Sequence, residues 1–129
     1  MDRSLIWFDR LGMRDVARVG GKNASLGEMI SNLADTGIRV PEGFATTAEA
    51  YQRFLEHDNL NRRIHEALED LDVEDVDALT RCGAQIRQWV MDTPLPAEFE
   101  QDISTAYREL EDRSGKNVSV AVRSSATAE

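Results

Sequence analysis

Two short stretches of this chain combine residue types able to hold a phosphorylated ligand. The first is Val19-Gly20-Gly21-Lys22-Asn23, a glycine pair and a lysine placed where a helical apolar pattern begins. Glycines let backbone amides come close to a ligand. A helix N-terminus offers free N–H groups and partial positive charge, and Lys22 adds a mobile ammonium. The spacing is not that of a Walker A loop, and a glycine turn before a helix is also, simply, a turn. The second stretch is Arg123-Ser124-Ser125, which follows the strict alternation Val118-Ser119-Val120-Ala121-Val122. As a strand, this segment puts its three valines on one face and Arg123 on the other with Ser119 and Ala121. Small neighbours leave room beside a guanidinium suited to a bidentate grip on phosphate oxygens. The competing reading is a surface arginine paired with one of 24 acids.

Other reactive residue types carry less. His57 and His65 sit on helical segments crowded with charge and read as solvated, with no partners at metal-ligand spacing. Cys82 falls on an apolar helix face and reads as packing rather than as a reactive thiol. The acids Glu66, Glu69, Asp70, Asp72, Glu74, Asp75 and Asp77 fit a solvated face and no calcium-loop pattern. Trp89, Phe99 and Tyr107 lie at helical spacing and read as core. No catalytic residue and no metal ligand is assigned.

The elements that must position the two stretches follow from periodicity. Leu5-Ile6-Trp7-Phe8 is too short an apolar run for a helix and suits a buried strand. The helix after the glycine pair presents Leu26, Met29, Ile30 and Leu33 on one face, with Gly37 placed to cap it in the left-handed conformation. Residues 38–45 read as extended chain with a turn, because Pro41 drives Val40 out of the helical region. Thr46-Thr47-Ala48-Glu49 matches a capping box ahead of a helix with Ala50, Tyr51, Phe54 and Leu55 inward. A further helix carries Leu60, Ile64, Leu68 and Leu71. Asp72 is the expected cap of the next, which turns Val73, Val76, Leu79, Cys82 or Gly83, Ile86, and Trp89 or Val90 inward. After Pro94-Leu95-Pro96 a last helix carries Phe99, Ile103, Ala106 or Tyr107, and Leu110, and stops at Ser114-Gly115. The expected fold class is a helix-rich α/β (α+β) unit with a few short strands.

Composition narrows the partners. The 129 residues hold 15 Lys and Arg against 24 Asp and Glu, a formal net charge of -9. That excludes the broad basic face that nucleic acid requires. No apolar run reaches the length of a membrane helix, and the N-terminal MDRSLIWFDR is not a secretory signal. A single cysteine fits a reducing, cytoplasmic setting. Only Lys22 and Lys116 are lysines, so a lysine inside a motif stands out.

Taken together, VGGKNASLGEMISNL (Val19 to Leu33), VPEGFATTAEAY (Val40 to Tyr51), AQIRQWVMDTP (Ala84 to Pro94) and VAVRSSATAE (Val120 to Glu129) resemble the N-terminal region of the phosphoenolpyruvate synthase family, the pyruvate, water dikinases. The wider superfamily also holds pyruvate, phosphate dikinases and rifamycin phosphotransferases, which tend to read GGKGANL where this chain reads GGKNASL. The resemblance implies the N-terminal lobe of an ATP-grasp-type nucleotide-binding domain. Carried over by motif, Lys22 and Arg123 contact ATP phosphates, and Gly20 and Gly21 shape the turn beside Lys22. Ser124, Ser125 and Thr127 lie in the same motif with no contact assigned.

The implied reaction makes phosphoenolpyruvate from pyruvate, ATP and water, releasing AMP and phosphate through a phospho-histidine, with Mg2+ neutralising charge. The chain stops at Glu129 inside the last motif. The resemblance therefore implies a fragment, inactive alone, whose partners are the remaining domains that carry the magnesium ligands, the phospho-histidine and the pyruvate site. Two alternatives stay open, a related dikinase or phosphotransferase and a non-catalytic helical interaction module. A homo-oligomer is compatible with either.

Overall fold

The computed structural model describes residues 3–128. Met1, Asp2 and Glu129, and with them the start of the N-terminal stretch and the end of VRSSATAE, lie outside the described residues. The chain divides into two compact units, residues 3–51 with 97–128 and residues Gln52–Pro96.

In the first unit, β1 (Leu5–Trp7) pairs antiparallel with β2 (Phe44–Thr46), in the register Leu5 to Thr46, Ile6 to Ala45 and Trp7 to Phe44. Side chains alternate across a strand, and here both faces are used. Ile6 and Ala45 pack with Leu11, Val19 and Ala24, backed by Phe8 and Val16. Leu5 and Trp7 pack on the other side with Ala106 and Leu110, backed by Phe44 and Val118. This explains why the run Leu5-Ile6-Trp7 is apolar throughout rather than alternating. The first cluster draws on α1 (Val16–Val19) and α2 (Gly21–Leu33), the second on α6 (Ala97–Ser114). The Trp7 and Phe44 rings meet at 5.6 Å and 59°. The Arg113 guanidinium lies 4.0 Å from the Trp7 ring centre, a cation–π contact held by Glu109 at 2.6 Å.

Helix α2 follows the expected course but turns a different face inward. Its buried residues are Ala24 and Gly27, while Leu26, Ile30 and Leu33 are half-buried and Met29 is exposed. The reason is closeness: a Cβ built on Gly27 would lie 2.5 Å from both Cβ and O of Leu11, so only the smallest residues fit there. Gly37 does adopt the left-handed conformation (φ 79°, ψ 2°), after a short 3-10 turn at Ala34–Thr36.

The capping box at Thr46 does not form. Helix α3 (Ala48–Glu56) begins one residue later, and Thr47 Oγ accepts from the Ala50 N–H at 3.1 Å. Glu49 therefore falls one position short of the place from which it could reach back, and it pairs with Arg3 at 2.6 Å instead. The hydrogen bond to Glu49, and then its charge, raise the Arg3 pKa above the ordinary arginine value. Thr47 also donates its hydroxyl to the Arg3 carbonyl, so one buried side chain joins the end of the sheet to the start of α3. Thr47→Ala should cost about 1–2 kcal/mol, the loss of an N-cap plus an unpaired carbonyl. Urea unfolding measures it, with Thr47→Ser expected near wild type.

The boundary between the units falls within α3. The second unit adds a 3-10 turn at His57–Asn59, α4 (Leu60–Glu69) and α5 (Val76–Asp92). Helix α4 ends at Glu69, so Leu71 lies beyond it. Asp72 does not cap α5: its carboxylate accepts from the Glu74 N–H in the preceding turn, and Asp75 accepts from Ala78. The seven acids of this stretch are exposed. Both histidines are exposed too, and the half-buried Cys82 donates its thiol to the Ala67 carbonyl at 3.6 Å. Arg63 stacks over Trp89, which is half-buried.

The expected strand at Val118–Val122 is absent. Among the described residues β1 and β2 pair with each other, and the tail joins neither. Val120 is 47% and Val122 91% exposed. Alternation supplies an apolar face, but a strand also needs a ladder partner and a surface to cover. After the turn at Gly115 and Asn117, both at positive φ, the tail is held at Val118, whose carbonyl accepts from the Tyr107 hydroxyl at 3.3 Å. No helix among the described residues is long and apolar enough to cross a membrane.

Candidate functional site

The fold brings the two candidate stretches together. Gly20 ends α1 and opens α2 at φ 84° and ψ 165°, a conformation essentially reserved for glycine. Its N–H donates to the Val16 carbonyl at 2.8 Å, and its carbonyl accepts from Ala24 at 3.1 Å. With no side chain at Gly20, the tail can lie against the turn. A Cβ there would stand 2.2 Å from Ser125 Oγ, 2.8 Å from the Ser125 carbonyl carbon and 2.9 Å from the Ala126 nitrogen.

Two hydrogen bonds hold the tail in that position. The Gly21 N–H donates to the Ala126 carbonyl at 3.1 Å, and the Asn23 N–H donates to Ser125 Oγ at 3.4 Å. The Asn23 side chain donates back to the Val19 carbonyl at 2.9 Å and ties α1 to α2. Helix α2 thus has no capping side chain next to it in sequence, and Ser125 supplies one from 102 residues away.

Lys22 and Arg123 lie next to these contacts in sequence. Lys22 lies between the two residues whose amides bind the tail, and its side is exposed. Arg123, also exposed, precedes Ser125 by two residues, so its Cα lies within about 7 Å of the Ser125 Cα. The amides of Gly21 and Asn23, which the sequence offers as phosphate donors, are instead turned to the tail.

Beneath α2, Asp15 and Glu28 fix the loop at residues 11–15. The Asp15 carboxylate, which is buried, accepts from the Gly12 N–H at 3.0 Å and pairs with Arg18 at 3.4 Å. Glu28 accepts from the Met13 N–H at 3.0 Å. Sequence reasoning singled out neither acid, nor Ser125 as a cap. Asp15 three residues after Gly12 is a turn signal in retrospect, whereas a cap arriving from the far end of the chain leaves no local trace. A cavity of about 160 Å³ opens among Arg3, Ala17, Arg18, Thr47, Ala48 and Glu49, where Arg3 is paired with Glu49 and Arg18 with Asp15. No three His, Cys, Asp or Glu among the described residues gather as metal ligands.

The pattern of the family described as "Pyruvate phosphate dikinase, AMP/ATP-binding domain" matches residues 16–129, which include both stretches. The chain belongs to this family. Among curated relatives of this AMP/ATP-binding family member, the phosphoenolpyruvate synthase of Neisseria meningitidis serogroup B is 59% identical over 99% of the chain. That of Pseudomonas aeruginosa is 59% identical over 97%, and that of Escherichia coli 55% identical over 97%. The chain spans about 16% of the length of each of these relatives. The helix-rich α/β lobe described above is the fold that family membership and periodicity led one to expect.

Proposed function

We propose that this chain is the N-terminal ATP-binding part of a phosphoenolpyruvate synthase, with Lys22 and Arg123 neutralising ATP phosphate charge. The observation that supports the proposal is the docking of Ser125 and Ala126 onto the Gly20-Gly21 turn, which brings the segment that carries Arg123 against the turn that precedes Lys22. The lysine serves as a mobile point charge and the arginine as a planar fork, a complementary pair for a polyphosphate. Gly20 and Gly21 shape the turn, and the lobe is of the ATP-grasp type.

The whole enzyme would convert pyruvate, ATP and water to phosphoenolpyruvate, AMP and phosphate in the cytoplasm, through a phospho-histidine in another segment. Magnesium would supply further charge neutralisation and take its ligands from those other segments. Phosphoryl transfer of this kind depends mainly on positioning and electrostatics, and this lobe contributes both through its own side chains.

The test is pyruvate-dependent AMP release by the full-length enzyme. Lys22→Ala and Arg123→Ala should each lower kcat/KM for ATP by at least ~2 kcal/mol, roughly 30-fold. Near wild-type kinetics for both variants would sink the assignment.

A further inference from the structure

Resting on that reading of the site, we infer that Ser125 is a positioning residue whose hydroxyl, by capping α2, sets Arg123 in register with Lys22. The α2 amides need an acceptor, and the preceding residue, Gly20, has no side chain to offer one. Ser125 Oγ takes the Asn23 N–H, while Ala126 takes that of Gly21. Both bonds bracket Lys22, and both leave from residues within three positions of Arg123. The upstream segment gives Arg123 little support, since Val120 and Val122 are largely exposed and Arg123 joins no strand. The Ser125 cap is thus a side-chain tie between the arginine's segment and the lysine's helix.

The functional consequence follows from populations. Without the hydroxyl, the tail leaves the turn more often, and the fraction of molecules with both cations in place falls. Apparent affinity drops by that fraction, because ATP must then reassemble the corner on binding. Once ATP is bound the corner is complete, so turnover at saturation is preserved. One net hydrogen bond corresponds to about a 3- to 10-fold effect.

The experiment is steady-state kinetics of the full-length enzyme with ATP varied, for Ser125→Ala and Ser125→Thr. Ser125→Ala should raise KM for ATP about 3- to 10-fold with kcat within about twofold, and Ser125→Thr, which keeps the hydroxyl, should hold KM within about twofold of wild type. An unchanged KM in Ser125→Ala overturns the inference. So does a fall in kcat alone, or an equal rise of KM in both variants. Lys22→Ala and Arg123→Ala run alongside: if they too leave the kinetics unchanged, the assignment of the site fails. If they weaken ATP use while Ser125→Ala does not, only the positioning role fails.

Discussion

Gly27→Ala should destabilise the protein by about 2–3 kcal/mol, although the same change in an exposed helix gains nearly 1 kcal/mol. The sign reverses because of what the new methyl meets. Gly27 is buried in the middle of α2, and its Cβ would stand 2.5 Å from the Leu11 carbonyl oxygen and 2.6 Å from the carbonyl carbon. A flexible side chain could swing away from such a contact; backbone cannot. Leu11 is itself 2% exposed, its N–H is bonded to the Phe8 carbonyl, and the next residues are held by Asp15 and Glu28. Relief therefore requires α2 to withdraw Ala24 from its packing with Ile6, Leu11, Val19 and Ala45. Urea unfolding measures the loss, and a variant as stable as wild type would mean that the Leu11 loop yields.

Gly20→Ala should be more costly still and should strike the site as well. Holding alanine at φ 84° and ψ 165° costs about 1–3 kcal/mol before any contact is counted. The added Cβ also collides with Ser125 Oγ at 2.2 Å and with backbone atoms of Ser125 and Ala126. The tail offers the easier escape, because letting it go forfeits two hydrogen bonds of about 1 kcal/mol each. The expected sum is about 3–5 kcal/mol, with the tail detached. In the full-length enzyme KM for ATP should rise further than in Ser125→Ala. Hydrogen exchange gives a direct readout: the Gly21 amide, bonded to Ala126 in the wild type, should lose its protection. Unaltered exchange at Gly21 would show that the tail stays docked.

Much of this architecture was readable from pattern alone, and the failures share a cause. The last helix stops where its apolar spacing and Gly115 end it, and β1 falls within the apolar run. Motif resemblance paired the glycine turn with the arginine segment before any contact was known. Periodicity, however, weighs large apolar side chains, so it chose Leu26 and Met29 for the inner face of α2, where closeness admits only Ala24 and Gly27. It read a strand in Val118–Val122 because alternation is local, while a ladder partner is not. The capping errors at Thr46 and Asp72 are matters of one and three positions: several oxygen-bearing residues stand close together, and the exact start of the helix decides which one serves. Ser125 escaped notice because its partner lies at the opposite end of the chain.

The tail is fastened at Val118 and again at Ser125 and Ala126, with Arg123 on the unpaired span between. The entropy of closing such a span changes only logarithmically with its length, by about 0.6 kcal/mol per doubling. Thermodynamic stability is therefore nearly blind to an inserted or deleted residue there. The guanidinium is not blind to a change between Arg123 and Ser125, because one residue there moves it by about 3.5 Å relative to the docked serine. The spacing from Arg123 to the Ser125 fastening thus works as a ruler, and a length change there would pass unnoticed in a melting curve while misplacing the charge.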